Sequence, residues 1–189
     1  HRTRVAALLL AAACGAAHAL DLQGHRGARG LAAENTLHGF ALALGIGVTT
    51  LELDIAVTRD DVLVIHHDRS LNPDITRNAD GRFLDARGPL IRSLGFDELQ
   101  RFDVGRLKPG TAYAKSHPQQ QAFDGARIPR LTELFALVRK SGNEQVRFAI
   151  ETKLAPDKPH ETVAPDVFAR AVVAAHRPAE IVDRIERLD

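Results

Sequence analysis

VTTLELDIAVTRDDVLVIHHD, residues 48–68, decides how this chain is read. Two aliphatic, β-branched runs are separated by Asp60-Asp61. Short runs of that composition are buried strands. The first is expected over residues 48–57 and the second over 62–65. The link between them is too short for a helical crossover, so they form a hairpin-like antiparallel step. Glu52 and Asp54 are two apart on the first strand, and alternation turns both carboxylates to one face. Leu51, Leu53, Ile55 and Val57 then line the other. An isolated Glu-x-Asp is more often an exposed strand with solvated acids, but these apolar flanks argue for burial. Two carboxylates converging there repel unless a cation lies between them, and oxygen donors select a hard ion, Mg²⁺ or Ca²⁺. At the end of the second run His66 and His67 fall on opposite faces, so only one can share the site. Asp68 can orient a ring or cap the next turn.

The same arrangement recurs outward from this stretch. Upstream, a strand over residues 20–24 ends at His25-Arg26-Gly27. Gly27 and Gly30 let backbone approach a ligand closely, and arginine is the natural bidentate partner of a phosphate. A helix follows, starting near Asn35 or Thr36 and stopping at Gly45 or Gly47. Downstream, VRFAI at 146–150 is a fourth strand, ending at Glu151-Thr152-Lys153. Period-2 alternation gives a third carboxylate and a second cation facing one way. Each cluster alone reads more simply as solvated surface. Four of them at the ends of apolar runs do not, because the carboxyl ends of parallel strands are where an α/β barrel or open α/β sheet keeps its chemistry. Two histidines, three carboxylates, an arginine and a lysine suit metal-assisted phosphoryl chemistry.

Residues 72–128 differ from the rest. They are rich in Pro and Gly and include HPQQQ. One helix is expected over 93–102 with Ser93 as its cap, and the remainder reads as a long irregular insertion over the mouth of the fold. Further helices are expected over 131–140 and 163–176.

Composition excludes several classes. The chain has 189 residues, 44% hydrophobic and 26% charged, which suits one globular domain. A net charge of +1 favours neither nucleic acid nor an anionic membrane as partner. With no Trp and one Tyr there is no aromatic platform for stacking bases or sugars. Cys14 has no internal partner for a disulfide. Residues 1–19 combine a basic head, an Ala/Leu stretch and Ala17-His18-Ala19, an A-x-A cleavage pattern. They are expected to be a secretory signal peptide, too short for a membrane span, which places the mature protein in the periplasm or outside the cell. A lipidated Cys14 would want Leu where Ala11 stands.

HRG at 25–27, ENT at 34–36, ELD at 52–54, HHD at 66–68 and ETK at 151–153 together resemble, in order and spacing, the glycerophosphodiester phosphodiesterase family. The likeness extends over nearly all of the expected mature chain. It implies a TIM-type (β/α) barrel and metal-dependent hydrolysis of small-molecule glycerophosphodiesters to glycerol 3-phosphate and an alcohol. Carried over position by position, it implies a divalent cation, Ca²⁺ or Mg²⁺, on Glu52, Asp54 and Glu151. His25 and His67 would be acid and base, with Arg26 and Lys153 on the phosphate. His66 does not match the catalytic position. A phospholipase D-like activity on lysolipids is the alternative on the same machinery. The chain departs from the family at Ala33, where Pro is usual, and at Asp61, where Gly is usual. Neither position carries chemistry. A complete barrel takes roughly 250 residues, and four strands are legible here. Residues 20–189 are therefore expected to hold the N-terminal half to two-thirds of a barrel, with 72–128 as an insertion or lid. Such a piece would be a curved half-barrel with two open edges and an apolar concave face. It would be inactive alone, at most a weak cation binder. No oligomeric state is specified.

Overall fold

A computed structural model describes residues 20–176. The expected export signal at 1–19 lies outside the described residues. The sheet is built around β2 (Thr50–Val57), whose two edges are used differently. On one edge β4 (Arg147–Thr152) runs parallel over six register pairs, from Thr50↔Arg147 to Ile55↔Thr152. The other edge is shared. β1 (Gln23–Gly24) pairs parallel with Thr50 and Leu51, and β3 (Leu63–Ile65) pairs antiparallel with Ile55 to Val57. Between these two partners the chain leaving β1 can fold over the middle of β2, and that interval is where Glu52 and Asp54 sit.

The two faces of β2 follow the expected alternation. Leu51, Leu53 and Ile55 are fully buried and join Phe40, Leu131, Leu134 and Phe168 in one core. That core is roofed by α1 (Leu37–Ile46), α4 (Leu131–Ser141) and α5 (Pro165–His176). α1 is capped by Thr36 Oγ1, which accepts from Gly39 N, and is stopped by Gly47 at φ 90°. On the opposite face the acids come first. Ala56 follows, and it packs with its register partner Val64 into a second cluster.

That second cluster corrects the expectation for residues 72–128. The segment contains α2 (Phe96–Leu99), α3 (Ala112–Ser116) and a 3₁₀ turn at Ile91–Ser93. Leu71, Ile91, Phe96, Leu99, Val104 and Ile128 pack on Ala56 and Val64 as a small core of its own. The expected helix over 93–102 shrinks to Phe96–Leu99. The Glu98 carboxylate accepts Gly95 N at 2.7 Å and Asp60 Oδ1 accepts Phe96 N at 3.0 Å, so the first turn starts there and not at Ser93. β1 is shorter than expected, because Leu22 O is taken by Thr49 N and Thr50 N. β4 runs two residues further, through Glu151 and Thr152. The face of β2 and β4 away from the helices is not the open apolar surface expected, since it presents Glu52, Asp54 and Glu151, and residues 91–128 pack on Ala56 and Val64 beyond them. The described residues thus form a mixed α/β fold around one four-stranded sheet.

Candidate active site

Register alone brings the carboxylates together. Glu151 lies directly opposite Asp54 in the parallel pair, and Glu52 is two residues back on the same face. One oxygen from each of Glu52, Asp54 and Glu151 lies within 4.8 Å of the others. A set of donors that is all oxygen and that close fits a hard divalent cation.

The HRG turn folds over Glu52. Arg26 takes φ 52° and Gly27 φ 83°. A side chain at Gly27 would bring its Cβ to 2.9 Å from the Gly39 carbonyl carbon, so only glycine fits against α1. The turn delivers Arg26 N to Glu52 Oε2 at 2.7 Å and leaves His25 Nε2 at 3.7 Å from the same oxygen. The Arg26 guanidinium donates to Glu34 Oε1 at 3.1 Å and sits 3.4 Å from Asp54 Oδ2.

Glu34, given no role by the sequence, and Asn35, read there only as a candidate helix cap, are supports of the site. Asn35 takes φ 54°, its N donates to Arg26 O at 2.9 Å, and its Nδ2 donates to Asp54 Oδ2 at 2.9 Å. Both residues are buried. A buried Glu-Asn pair immediately before a helix cap, in a stretch with few other reasons to be polar, is the signal that could have exposed them. Lys153 enters from β4's end, with Nζ 2.8 Å from Asp54 Oδ1 and 2.6 Å from Glu151 Oε1.

These neighbours set the ionisation. Burial pushes the Asp54 carboxyl up, but the hydrogen bonds from Lys153 and Asn35 outweigh it and hold its pKa below the usual range. Glu52 moves the other way. Burial raises its pKa, aided by the charges of Asp54 and Glu151, and the Arg26 N–H offsets only part. Burial would lower the Lys153 pKa, yet its bonds to Asp54 and Glu151 raise it. His25 is held low, first by desolvation and then by Arg29 and Arg26.

His67 lines one cavity with Glu151 and Lys153 and is close enough to act electrostatically on both Asp54 and His25. Its Nδ1 lies 3.0 Å from Asp68 Oδ1, and Asn72 Nδ2 donates to the other oxygen, Asp68 Oδ2, at 2.8 Å. The His67 bond lowers the Asp68 pKa to about 2. His66 is buried, with Nδ1 2.8 Å from Asp68 O, and does not line the cavity that His67, Glu151 and Lys153 share.

Residues 25–180 match the model of the glycerophosphoryl diester phosphodiesterase family. The chain is 31% identical over 129 residues to the glycerophosphodiester phosphodiesterase of Caldanaerobacter subterraneus, covering 68% of this chain and 43% of that protein. A Silicibacter pomeroyi protein, crystallised as a candidate glycerophosphoryl diester phosphodiesterase, superposes with a TM-score of 0.78 at 35% identity, over 85% of this chain and 54% of that one. An Oleispira antarctica phosphodiesterase, solved with its product sn-glycerol-3-phosphate, gives 0.55 at 28% identity, over 85% and 54%. The chain thus spans about half the length of these relatives.

Proposed function

Starting from a chain that belongs to the glycerophosphoryl diester phosphodiesterase family, we propose that the whole protein carrying this site hydrolyses glycerophosphodiesters to glycerol 3-phosphate and an alcohol. The observation that carries this reading is the meeting of Glu52, Asp54 and Glu151 within 4.8 Å, flanked by two histidines, Arg26 and Lys153. The three carboxylates would hold one divalent cation, Ca²⁺ in preference to Mg²⁺, because an exported protein meets Ca²⁺ at high concentration. When bound, such a cation polarises the phosphoryl oxygens and lowers the pKa of a nucleophilic hydroxyl.

The side chains supply the rest. Arg26 and Lys153 face the negative charge that develops on the phosphoryl oxygens. Glu34 and Asn35 keep Arg26 and Asp54 in place for that task. His25, its pKa held below the usual value by burial, stays neutral near pH 7 and can take a proton at Nε2. Asp68 fixes His67 through Nδ1 and leaves Nε2 to donate a proton to the departing alcohol. The expected signal at 1–19 supports placing this reaction in the periplasm or outside the cell. Among the described residues no helix is long and apolar enough to cross a membrane.

The test is release of glycerol 3-phosphate from glycerophosphodiesters, with and without chelator. Activity is expected to vanish on chelation and return with Ca²⁺ or Mg²⁺. His25→Ala and His67→Ala are each expected to cut turnover by roughly 10²–10⁴-fold, while His66→Ala leaves it near normal. Activity that survives exhaustive chelation removes the metal from the reading. Equal losses at His66 and His67 overturn the assignment of the histidines.

A further inference from the structure

The cavity that His67 shares with Glu151 and Lys153 has a volume of about 590 Å³ and is also lined by Arg69, Ser70 and Arg87. The reaction centre makes no use of these three. Each arginine is pinned through its own backbone stretch. Arg69 O accepts Ile91 N at 2.8 Å, and the strand-like pairing of Ser70 with Leu90 holds the segment carrying Arg87 alongside. Both guanidinium groups turn to one carboxylate. Arg69 Nε lies 2.6 Å from Glu161 Oε2, and an Arg87 terminal nitrogen lies 3.8 Å from the same oxygen. Arg87 Nε donates to Ser70 Oγ at 2.5 Å.

Two cations share one buried carboxylate, Glu161. Arg69 holds it at 2.6 Å, while Arg87 reaches it only at 3.8 Å. Among the described residues Arg87 has no carboxylate of its own, and it lies on the cavity wall. A purely structural ion pair would need only Arg69. Arg87 adds a second guanidinium whose side chain is 57% exposed, at a cost in rotamer entropy that an exposed ion pair scarcely offsets. Paired guanidinium groups match the planar geometry of carboxylate or phosphate oxygens.

We infer that Arg69 and Arg87 form a subsite for the leaving alcohol, selecting head groups that carry an anionic group of their own. This rests on the phosphodiesterase reading, in which Lys153 holds the phosphate, since Lys153 lines the same cavity as Arg69 and Arg87. Glu161 positions Arg69, and Ser70 positions Arg87. Head groups without an anionic group leave the Arg87 donors without that partner.

The deciding measurement compares glycerophosphoserine with glycerophosphoethanolamine, which differ only in the carboxylate. The expected kcat/KM ratio is about tenfold in favour of the serine diester, roughly the worth of one charge-assisted hydrogen bond. Arg87→Gln should bring the ratio close to one, with kcat on the ethanolamine diester little changed, and Arg87→Lys should restore part of it. Calorimetric Kd values for both diesters on His67→Ala protein, where turnover is suppressed, should show the same preference. Equal Kd values there, or a preference that Arg87→Gln leaves intact, overturn the subsite. If wild-type protein turns over neither diester, the phosphodiesterase reading fails by itself, and the Kd comparison still decides the subsite.

Discussion

Asp54 and Glu151 face each other in register and carry the same chemical group, yet their surroundings are opposite. The Asp54 side chain is 1% exposed and is reached by Arg26, Asn35 and Lys153. The Glu151 side chain is 60% exposed and is held by Lys153 alone. β2 is covered on both edges, whereas among the described residues β4 is paired only with β2. Among the described residues Asp54 is therefore a carboxylate held from three sides before any ligand arrives, and Glu151 is held from one.

The largest effect that would break this comparison is at Asp54. Asp54→Ala leaves Lys153 and Arg26 without their shared counter-charge, and losing one partner of a buried ion pair typically costs about 3–5 kcal/mol. Denaturant unfolding of the metal-free protein should show a loss of that size. Glu151→Ala, at an exposed position, should stay within about 0.5 kcal/mol. Both should abolish cation-dependent turnover. A Glu151→Ala loss as large as that at Asp54 would erase the distinction between the two strands.

Asn35 sharpens it. Asn35→Gly keeps the positive φ but removes the amide that holds Asp54. The expected cost is about 1–3 kcal/mol in stability, for a buried acceptor left short of a partner. Cation affinity should fall about 10–100-fold, as for other residues that orient a metal ligand. Calorimetric titration of Ca²⁺ into wild-type and Asn35→Gly protein reads this directly, and an unchanged Kd would mean Asp54 needs no such support.

A smaller effect lies in the acid limb of the stability curve. The bond from His67 holds Asp68 at about 2 in the folded state, below its ordinary value of 3.8. A depressed carboxylate contributes stability that is present above the unfolded pKa and is lost as pH falls through the folded one. Stability should therefore decline between about pH 4 and pH 2, and Asp68→Asn should flatten that decline. Glu52 acts with the opposite sign. Its raised pKa means folding prefers it protonated, so Glu52→Gln should stabilise the metal-free protein near neutral pH while abolishing cation binding.

How much of this was legible in the sequence depended on whether the cause was local. Strand alternation placed Glu52, Asp54 and Glu151 on one face because period 2 is a property of the strand itself. Thr36 and Gly47 bounded α1 for the same reason. Ser93 misled because a good capping residue is a local signal, whereas the true start of α2 is set by Asp60, thirty-six residues before Phe96. The second core was illegible because Leu71, Ile91, Phe96, Val104 and Ile128 follow no period and are collected only by tertiary packing. Glu34 and Asn35 were seen as part of a motif, but their work depends on the turn after Arg26 folding back on β2, which no spacing reveals.

The register between β2 and β4 has a consequence for what changes the chain can absorb. Substitutions at Phe148 or Ile150 alter the fit of the helical core but leave every carboxylate where it is. A single residue inserted between Ala149 and Glu151 would shift the frame by one and exchange the strand's two faces. With the insertion before Ile150, Ile150 would stand opposite Asp54, and Glu151 would stand opposite Ile55 on the face of the helical core. β4 therefore tolerates variation in letters but not in length. The turn at Gly142 and Asn143, which lies outside the ladder, can absorb changes in length.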